Sequence, residues 1–328
     1  MLFAKNFSVT AAQIRALEGS PYEVWASHSD PQHGMLTAAP YRLVEPQGVL
    51  GEAYVAWLLQ TCQEHGIGWV IPGKERERLA SHQAEFEAIG TRLIVPADEA
   101  TQRLLERKDE FLRGWDTNIL PIPRWMTFQT LAEFDAAYAE LKVPGVRLCM
   151  KPARGIYASG FRVLLEQPDL AAFLRGELYQ LSVQAARELL GSGELPTMLL
   201  MHTLEGHERS IDCVAWQGRL IRAVVRRKGG AGQLIEDRPD LVEVAGQLAR
   251  KYNLSGIFNF QTKDADGVAN MLEINARASG GLRYSMAAGI NFARLLLDAA
   301  TGQLDWNRLP PVQTGLSVTE DKTVRTWR

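Results

Sequence analysis

The stretch FNFQTKDADGVANMLEINAR, residues 258–277 of the 328-residue chain, decides the fold. The dipeptide Asp266-Gly267 is a strong hairpin-turn signal, and the segments on either side of it alternate apolar and polar residues. Side chains two residues apart along a strand share a face, so Glu273 and Asn275 point the same way. A cross-strand pairing that adds Gln261 would give a set of oxygen donors, which are the ligands that Mg²⁺ prefers.

The alternative for this hairpin is an exposed polar face without a ligand, since Glu-x-Asn occurs by chance about once in a chain of this length. Arg277 and the small residues 278–281 follow directly. A planar guanidinium suits a carboxylate or a phosphate, and glycines let the backbone approach a ligand closely. The alternative here is a surface arginine before a turn.

A second feature is Lys151-Pro152 at a predicted strand end, followed by the small-residue loop 153–160. Such a strand–loop–strand can fold over phosphates, with the lysine as a point charge and backbone N–H groups as a cradle. The loop lacks the GxxxxGK[ST] pattern, and an ordinary hairpin connection is the alternative. Lys108 has the corresponding alternative of a solvated helix lysine.

A third feature is the polar strand face formed by Glu208, Ser210 and Asp212, which either lines a cleft or meets solvent. The run 226–228 (Arg-Arg-Lys) is either a solvated strand end or a phosphate clamp. The six histidines show no metal-ligand spacing, and no GxSxG motif indicates a serine nucleophile.

The amino-acid composition limits the classes of protein to which this chain can belong. With 36 Lys plus Arg, 38 Asp plus Glu and 46% apolar residues, the chain is typical of a soluble globular protein, not of a collagen-like or disordered one. With a formal net charge of −2 and no basic run longer than 226–228, the sequence gives no electrostatic indication of nucleic-acid binding. No uncharged apolar run approaches a membrane span, and the first residues lack a signal-peptide core, so we expect a cytoplasmic protein. Three scattered cysteines predict reduced, buried thiols.

The predicted elements place a small parallel α/β layer first, because short strands and amphipathic helices alternate there. The expected helices include 51–65, closed by Gly66, and 74–89, closed by Gly90. Near residue 97 the sequence pattern changes to a charged helical stretch. The later part of the chain is rich in predicted strands, which is typical of an α+β domain. We therefore expect three domains, 1–100, 101–200 and 201–328.

The order of these features resembles the ATP-grasp superfamily. Lys108 and the Lys-Pro loop are followed by G-x-E-x-S-x-D (206–212), then G-x-x-N-x-Q (256–261) and L-E-I-N-x-R-x-S-G-G (272–281). The last motif is most similar to the branch that contains the carbamoyl-phosphate synthetase large subunit and biotin carboxylase. The resemblance covers about residues 100–300. It implies an α/β domain, 1–100, preceding a lid subdomain, 101–200, and a C-terminal subdomain, 201–328, with the metal and phosphate site.

The resemblance implies an ATP- and Mg²⁺-dependent ligase, with Mn²⁺ as a substitute metal. A carboxylate attacks the γ-phosphate to give an acylphosphate and ADP, and an amine or other nucleophile then displaces phosphate. The partners are therefore a small-molecule carboxylate and amine, with no nucleic acid and no membrane. Ligases of this superfamily are often dimers, so a homodimer is also an expectation.

The resemblance also assigns roles to residues of this chain. The metal ligands are Glu273 and Asn275, with Gln261 as a further ligand or as a group that contacts the ligands. The basic groups on phosphate are Lys108 and Lys151. The lid is Arg154–Gly160, including Ser159 and Gly160. Arg277 is the arginine that stabilises the transferring phosphoryl group. Arg226 and Arg227 are the candidates that stabilise the acylphosphate. The remaining nucleotide contacts are Met201, His202, Glu205 and Glu208.

Two departures from the family pattern keep alternatives open. His202 stands where many members place a carboxylate near the adenosine, so Glu205 or Glu208 becomes the candidate for the ribose. The lid has only two glycines, with Arg154 and Tyr157 where small residues are usual. These departures favour a nucleotide-binding module without turnover, such as a sensor or assembly partner. A third alternative is a kinase-like member that phosphorylates a hydroxyl.

Overall fold

The structure is a computed structural model that describes residues 1–4, 9–155, 159–230 and 232–320. Two compact units can be separated. The first unit comprises Met1–Arg103, His207–Gln261 and the chain from Ile274 onward, and the second comprises Leu104–Gly206 and Thr262–Glu273. The division into 1–100, 101–200 and 201–328 stays a prediction.

The N-terminal part of the first unit is a parallel sheet in the order β3-β2-β1-β4-β5, as the strand–helix alternation predicted. Its strands are β1 (Leu2–Ala4), β2 (Trp25–His28), β3 (Tyr41–Val44), β4 (Trp69–Pro72) and β5 (Arg92–Leu93). The helices of this region are α1 (Val9–Arg15), α2 (Gly51–His65), α3 (Arg76–Ser81), α4 (Gln83–Ala88) and α5 (Glu99–Glu106), with a 3₁₀ turn at Leu36–Ala38.

Helix α2 has the predicted bounds. Tyr54, Val55, Leu58 and Cys62 recur at helical spacing and are buried, and Gly66 ends the helix at φ 60° with its N–H donating to the Cys62 carbonyl. The single helix predicted over 74–89 is wrong. Two short helices occur there, because the backbone leaves the helical region at His82 (φ −101°, ψ 12°).

The second unit contains a sheet in the order β6-β10-β7-β8-β9. Its strands are β6 (Trp125–Phe128), β7 (Leu148–Pro152), β8 (Arg162–Leu165), β9 (Gln180–Ser182) and β10 (Met198–His202). Its helices are α6 (Lys108–Arg113), α7 (Leu131–Leu141), α8 (Leu170–Leu174) and α9 (Val183–Leu190). Phe128 and Phe134 pack edge to face in its core, and the Thr130 hydroxyl caps α7 by accepting from the Glu133 N–H.

The third sheet has the order β15-β14-β11-β12-β13-β16. Its strands are β11 (Glu208–Trp216), β12 (Arg219–Gly229), β13 (Gly232–Glu236), β14 (Gly256–Ala265), β15 (Val268–Asn275) and β16 (Ser317–Thr319). The helices of the same region are α10 (Pro239–Lys251), α11 (Leu282–Met286) and α12 (Phe292–Ala300). The predicted hairpin is confirmed: Asp266 and Gly267 both have positive φ (49° and 80°), as a tight turn between β14 and β15 requires.

Cys62, Cys149 and Cys213 are buried and free, as the sequence predicted. Burial raises the pKa of the Cys62 thiol to about 12, and it raises the pKa values of Cys149 and Cys213 above the ordinary range. Within the described ranges, no helix combines the length and apolar character needed to cross a membrane.

These thiols should resist modification in the native protein. At pH 8 a thiol of pKa near 12 is a thiolate in only about one molecule in 10,000, and the thiolate is the reactive form. We expect Ellman's reagent to titrate essentially no thiol in the native chain and all three in guanidinium chloride. Rapid, stoichiometric reaction of one thiol before unfolding would contradict the burial described above.

Candidate functional site

Lys108, the first residue of α6, joins two of the sequence motifs within the second unit. Its N–H donates to the Ala153 carbonyl over 3.0 Å, and its Nζ donates to the Gly155 carbonyl over 2.9 Å. The same Nζ lies 3.6 Å from Glu273 Oε2, and the two side chains are only 12% and 22% exposed. A lysine, the loop after β7 and the carboxylate of the LEIN motif are thus brought together.

The loop after β7 closes back on the strand that precedes it. The Ala153 N–H donates to the Thr197 carbonyl over 2.8 Å. Gly160 has φ +72°, and a Cβ built on it would lie 2.7 Å from Pro152 Cδ. Both the backbone conformation and the space therefore require glycine at this position.

The predicted lid, Arg154–Gly160, is described only at its two ends, because residues 156–158 lie outside the described residues. Arg154 is exposed, and its guanidinium is 3.7 Å from Glu106 Oε2. Ser159 is exposed as well. Their roles toward a nucleotide stay predictions.

Several of the other predicted nucleotide contacts are positioned by β7 and β10. Lys151 pairs with Leu199 across the two strands, and Met201 is buried on β10. The Nε2 atom of His202 lies 2.9 Å from the Leu141 carbonyl, so in this arrangement Nε2 carries the proton and donates. Glu205 is exposed and accepts from Nε and Nη2 of Arg147 over 3.1 and 2.7 Å.

Gly206 begins the G-x-E-x-S-x-D motif for a steric reason. Its N–H donates to the Asp264 carbonyl over 3.0 Å, and a Cβ built on it would lie 2.6 Å from Asp264 Cβ. A side chain at this position would force the two segments apart. The motif glycine therefore meets the β14 backbone.

Within the first unit, the centre of the third sheet holds a buried ion pair. Arg226 and Asp212 are 2% and 0% exposed, and Nε and Nη2 of Arg226 both lie 2.8 Å from Asp212 Oδ2. Arg226 also donates to four hydroxyl or amide oxygens, one of them on β11 and three on other segments. These acceptors are Ser210 on β11 (2.9 Å), Gln233 on β13, Ser279 after β15 (3.0 Å) and Ser285 on α11 (2.8 Å).

The SGG segment after β15 packs directly on this guanidinium. A Cβ on Gly281 would lie 2.7 Å from Arg226 Nη1 and 2.9 Å from Nη2. The sequence alone predicts that these glycines let the backbone approach a ligand. At Gly281 the structure corrects this, because the group approached is the Arg226 side chain.

The other predicted charged residues of the first unit have protein partners. Arg277 Nη2 donates to Asn275 Oδ1 over 3.2 Å, and the Arg277 N–H donates to the Asn275 carbonyl over 2.7 Å. Arg227 Nε is 3.4 Å from Glu236 Oε1. Glu208 forms an ion pair with Lys228.

Asn259 is a residue to which sequence reasoning gave no role. It is fully buried on β14, and its Nδ2 donates to Ser210 Oγ, the Ile211 carbonyl and Asp212 Oδ1 over 2.9–3.0 Å. Its Oδ1 has no hydrogen-bond donor among the described residues. A buried acceptor left without a partner costs about 1–3 kcal/mol, which a cation or an incoming donor would offset. The available signal was a polar residue between Phe258 and Phe260.

The predicted metal ligands, Glu273, Asn275 and Gln261, fit magnesium better than a softer metal. The part of the chain that the structure describes holds no cluster of three or more His, Cys, Asp or Glu side chains that could bind a metal. The predicted ligands Glu273, Asn275 and Gln261 lie on β14 and β15, and they would supply one carboxylate and two amide oxygens. Mg²⁺ takes few protein oxygens and completes its shell with phosphate and water.

The conformation of the loop after β7 can be tested at Gly160. We expect Gly160→Ala to lower the free energy of unfolding by at least about 1 kcal/mol, because it strains φ and crowds Pro152. Gly193→Ala is the matched control in the same unit, since its Cβ would meet nothing within 4 Å. Urea unfolding of both variants measures the difference, and equal stabilities would show that the loop does not have this geometry.

Comparisons with known proteins show which sequences this chain resembles. A sequence model of the family described as "ATP-grasp in the biosynthetic pathway with Ter operon" matches residues 194–324. Carnosine synthase 1 of Mus musculus is 26% identical over 181 residues, 51% of this chain and 22% of that protein. The carbamoyl phosphate synthase large chain of Saccharolobus islandicus is 24% identical over 238 residues, 68% of this chain and 21% of that protein. The chain thus spans about a fifth of the length of these relatives.

Solved structures show the same fold. The L-amino acid ligase of Bacillus licheniformis superposes with a TM-score of 0.63 at 15% identity, covering 94% of this chain and 77% of that one. The biotin carboxylase domain of 2-oxoglutarate carboxylase from Hydrogenobacter thermophilus, crystallised as a dimer with MgADP and bicarbonate, gives 0.64 at 14% identity, covering 92% and 69%. The resemblance to ATP-grasp proteins is therefore confirmed, and the chain has the ATP-grasp fold with an α/β region before it.

Proposed function

We propose that this chain is an ATP- and Mg²⁺-dependent ligase that joins a small carboxylate to an amine or another nucleophile. The carboxylate attacks the γ-phosphate to give an acylphosphate and ADP, and the nucleophile then displaces phosphate from the acylphosphate. The observation that carries the proposal is the position of Lys108 Nζ, 2.9 Å from the Gly155 carbonyl and 3.6 Å from Glu273. It places a cation beside the loop and the carboxylate that the family pattern assigns to nucleotide and metal.

The comparisons support the ligase class more than any particular reaction. The similar proteins are named as synthases and a ligase, and the biotin carboxylase domain was crystallised with MgADP. Because the chain spans only about a fifth of its curated relatives, its substrates and its reaction are part of our proposal.

The proposed division of labour follows the chemistry of phosphoryl transfer, which needs positioning and charge neutralisation more than covalent help. Glu273, Asn275 and Gln261 would hold Mg²⁺, with Asn259 Oδ1 as an added oxygen. The bound cation neutralises phosphate charge. Lys108 and Lys151 would contact phosphate oxygens as point charges.

The remaining assignments extend the same proposal. Arg277 and Arg227 would stabilise the transferring phosphoryl group and the acylphosphate. Arg226 is buried with protein acceptors on all three nitrogens, so it enters as a positioning residue. The proposed nucleotide contacts are Arg154, Ser159, Gly160, Met201, His202, Glu205 and Glu208. A cytoplasmic location and a homodimer stay predictions.

A nucleotide-binding module without turnover is the second candidate. The observation that favours it is that two residues predicted to contact the adenosine are hydrogen-bonded to other protein groups. His202 bonds to the Leu141 carbonyl, and Glu205 accepts from Arg147. A kinase-like reaction differs from both candidates, because it would form ADP without releasing phosphate.

The deciding experiment is ³¹P NMR of the protein with ATP, Mg²⁺ and pooled carboxylates and amines. ADP with free phosphate, formed only when a carboxylate is present, supports the acylphosphate route. AMP with pyrophosphate would indicate adenylate chemistry and overturn the proposal. Nucleotide binding in a titration with no turnover across the pool would favour the binding module.

The proposed metal ligand Glu273 gives a direct test. We expect Glu273→Ala to abolish turnover, a loss of at least about a hundredfold in kcat, because the only carboxylate of the proposed ligand set is removed. Glu194→Ala, in the exposed loop before β10, is the control and should retain wild-type rates. A folded Glu273→Ala enzyme with most of its activity would remove the metal assignment.

The proposed phosphate contact Lys108 can be tested by binding alone. Lys108→Met should weaken ADP binding roughly tenfold, since one charge-assisted contact to phosphate contributes about 1.5–3 kcal/mol before compensation. Lys142→Met is the matched control, because that lysine pairs with Glu166 in the same unit and has no assigned role. Isothermal titration calorimetry measures both, and unchanged affinity in Lys108→Met would exclude the contact.

A further inference from the structure

We propose that the buried Arg226–Asp212 ion pair positions the chain from Asn275 to Gly281, and with it the side chains of Asn275 and Arg277. The inference rests on the proposed function, because it concerns the residues assigned there to metal and phosphoryl group. Arg226 would touch neither substrate nor nucleotide. It would act through the segment 278–281, which we call the SGG turn.

The contacts define how the SGG turn is held. Ser279 Oγ accepts from Arg226 Nη2 over 3.0 Å, and Gly281 leaves no space for a Cβ, which would lie 2.7 Å from Nη1. One residue gives a hydrogen bond and the other a close packing surface, both to the same guanidinium. The turn can therefore not shift without displacing a group that is anchored elsewhere.

The Arg226 guanidinium, which anchors the SGG turn, is itself held by several hydrogen bonds. Arg226 donates to Asp212 and Ser210 on β11 and to Gln233 on β13, while Ser285 Oγ donates to Asp212 Oδ2 over 2.6 Å. Asn259 Nδ2 adds a further bond to Asp212 Oδ1. The guanidinium is thus fixed by two strands before it meets the SGG turn.

The turn is coupled in the other direction to the proposed site. Arg277 Nη1 donates to the Ala278 carbonyl over 3.2 Å, and Nη2 donates to Asn275 Oδ1 over 3.2 Å. The Arg277 N–H also donates to the Asn275 carbonyl over 2.7 Å. A displacement of residue 278 would therefore change the direction of both side chains.

Stability alone does not explain this arrangement. Desolvating two charges offsets most of their attraction, so a buried ion pair contributes little net stability compared with apolar residues of similar volume. Such a pair instead fixes the positions of its neighbours, because each buried charged group needs several hydrogen-bond partners at defined places. Here the defined geometry extends to the SGG turn, which directly follows Arg277.

The test compares variants that each remove one acceptor from Arg226. Ser279→Ala removes the acceptor on the SGG turn, and Gln233→Ala removes the acceptor on β13. A second pair tests packing: Gly281→Ala crowds the guanidinium, whereas a Cβ on Gly229 would meet nothing within 4 Å. None of these changes leaves Asp212 without its arginine, so all four variants should fold.

The first readout is hydrogen exchange measured by mass spectrometry, which requires no ligand. We expect amides of residues 275–282 to exchange at least about tenfold faster in Ser279→Ala and Gly281→Ala than in the wild type. Gly229→Ala should leave that segment unchanged, and Gln233→Ala, which removes one anchor of the guanidinium but not its contact with the turn, should change it less than Ser279→Ala does. Wild-type exchange of residues 275–282 in both Ser279→Ala and Gly281→Ala would overturn the positioning role.

The second readout is the affinity of Mn²⁺ in the presence of ADP, followed by the EPR signal of free Mn²⁺. We expect a loss of roughly three- to tenfold in Ser279→Ala and Gly281→Ala, a smaller loss in Gln233→Ala, and an affinity within twofold of wild type in Gly229→Ala. A wild-type chain that fails to bind Mn²⁺ with ADP would refute the proposed function. The hydrogen-exchange result would still test the positioning role, because it requires no ligand. Failure of the proposed function and failure of the positioning role can therefore be distinguished.

Discussion

The buried pair of Arg226 and Asp212 is the interaction on which the third sheet depends. Arg226 stands opposite Ser210 in the β11–β12 register, and its remaining donors reach β13, α11 and the segment after β15. Charges are tolerated at 2% and 0% exposure only when both are paired and hydrogen-bonded. Strand order, the SGG turn and the start of α11 must therefore all be correct together.

A second constraint is the close approach of backbone at motif glycines. Gly281 meets a guanidinium, Gly206 meets the β14 backbone at Asp264, and Gly160 meets the ring of Pro152. In each case the space for a side chain is occupied by the protein itself. At these three positions the motif glycine therefore serves the close packing of the protein on itself.

Local patterns were sufficient where the physical cause was local. The turn at Asp266-Gly267 and the bounds of α2 follow from φ preferences and from apolar spacing along a few consecutive residues. The break at His82 was not predictable in this way, because neither glycine nor proline marks it. Helix α7 was not predicted either, although Thr130 with Glu133 three residues later is a capping signal.

The sequence offered candidate residues for a site but not the contacts between them. Lys108 and Glu273 are far apart in the sequence, and nothing in either segment specifies that they lie within 3.6 Å. The run 226–228 looked like a solvated strand end, yet its first member, Arg226, is more deeply buried than any other lysine or arginine on strands β11, β12 and β13. The polar face of Ser210 and Asp212 was the signal that such a cation had a place inside.

The charges around Glu273 also constrain the order in which ligands could bind. Without a ligand, Lys108 Nζ lies 3.6 Å from this carboxylate, so two opposite charges lie side by side in a partly buried place. On the proposed function, the remaining protein ligands are neutral amides, which bind a bare divalent cation weakly. Phosphate oxygens would satisfy Lys108, and the cation that accompanies them would satisfy Glu273. Such an exchange of partners keeps both groups compensated, and it favours metal and nucleotide entering together over either one alone.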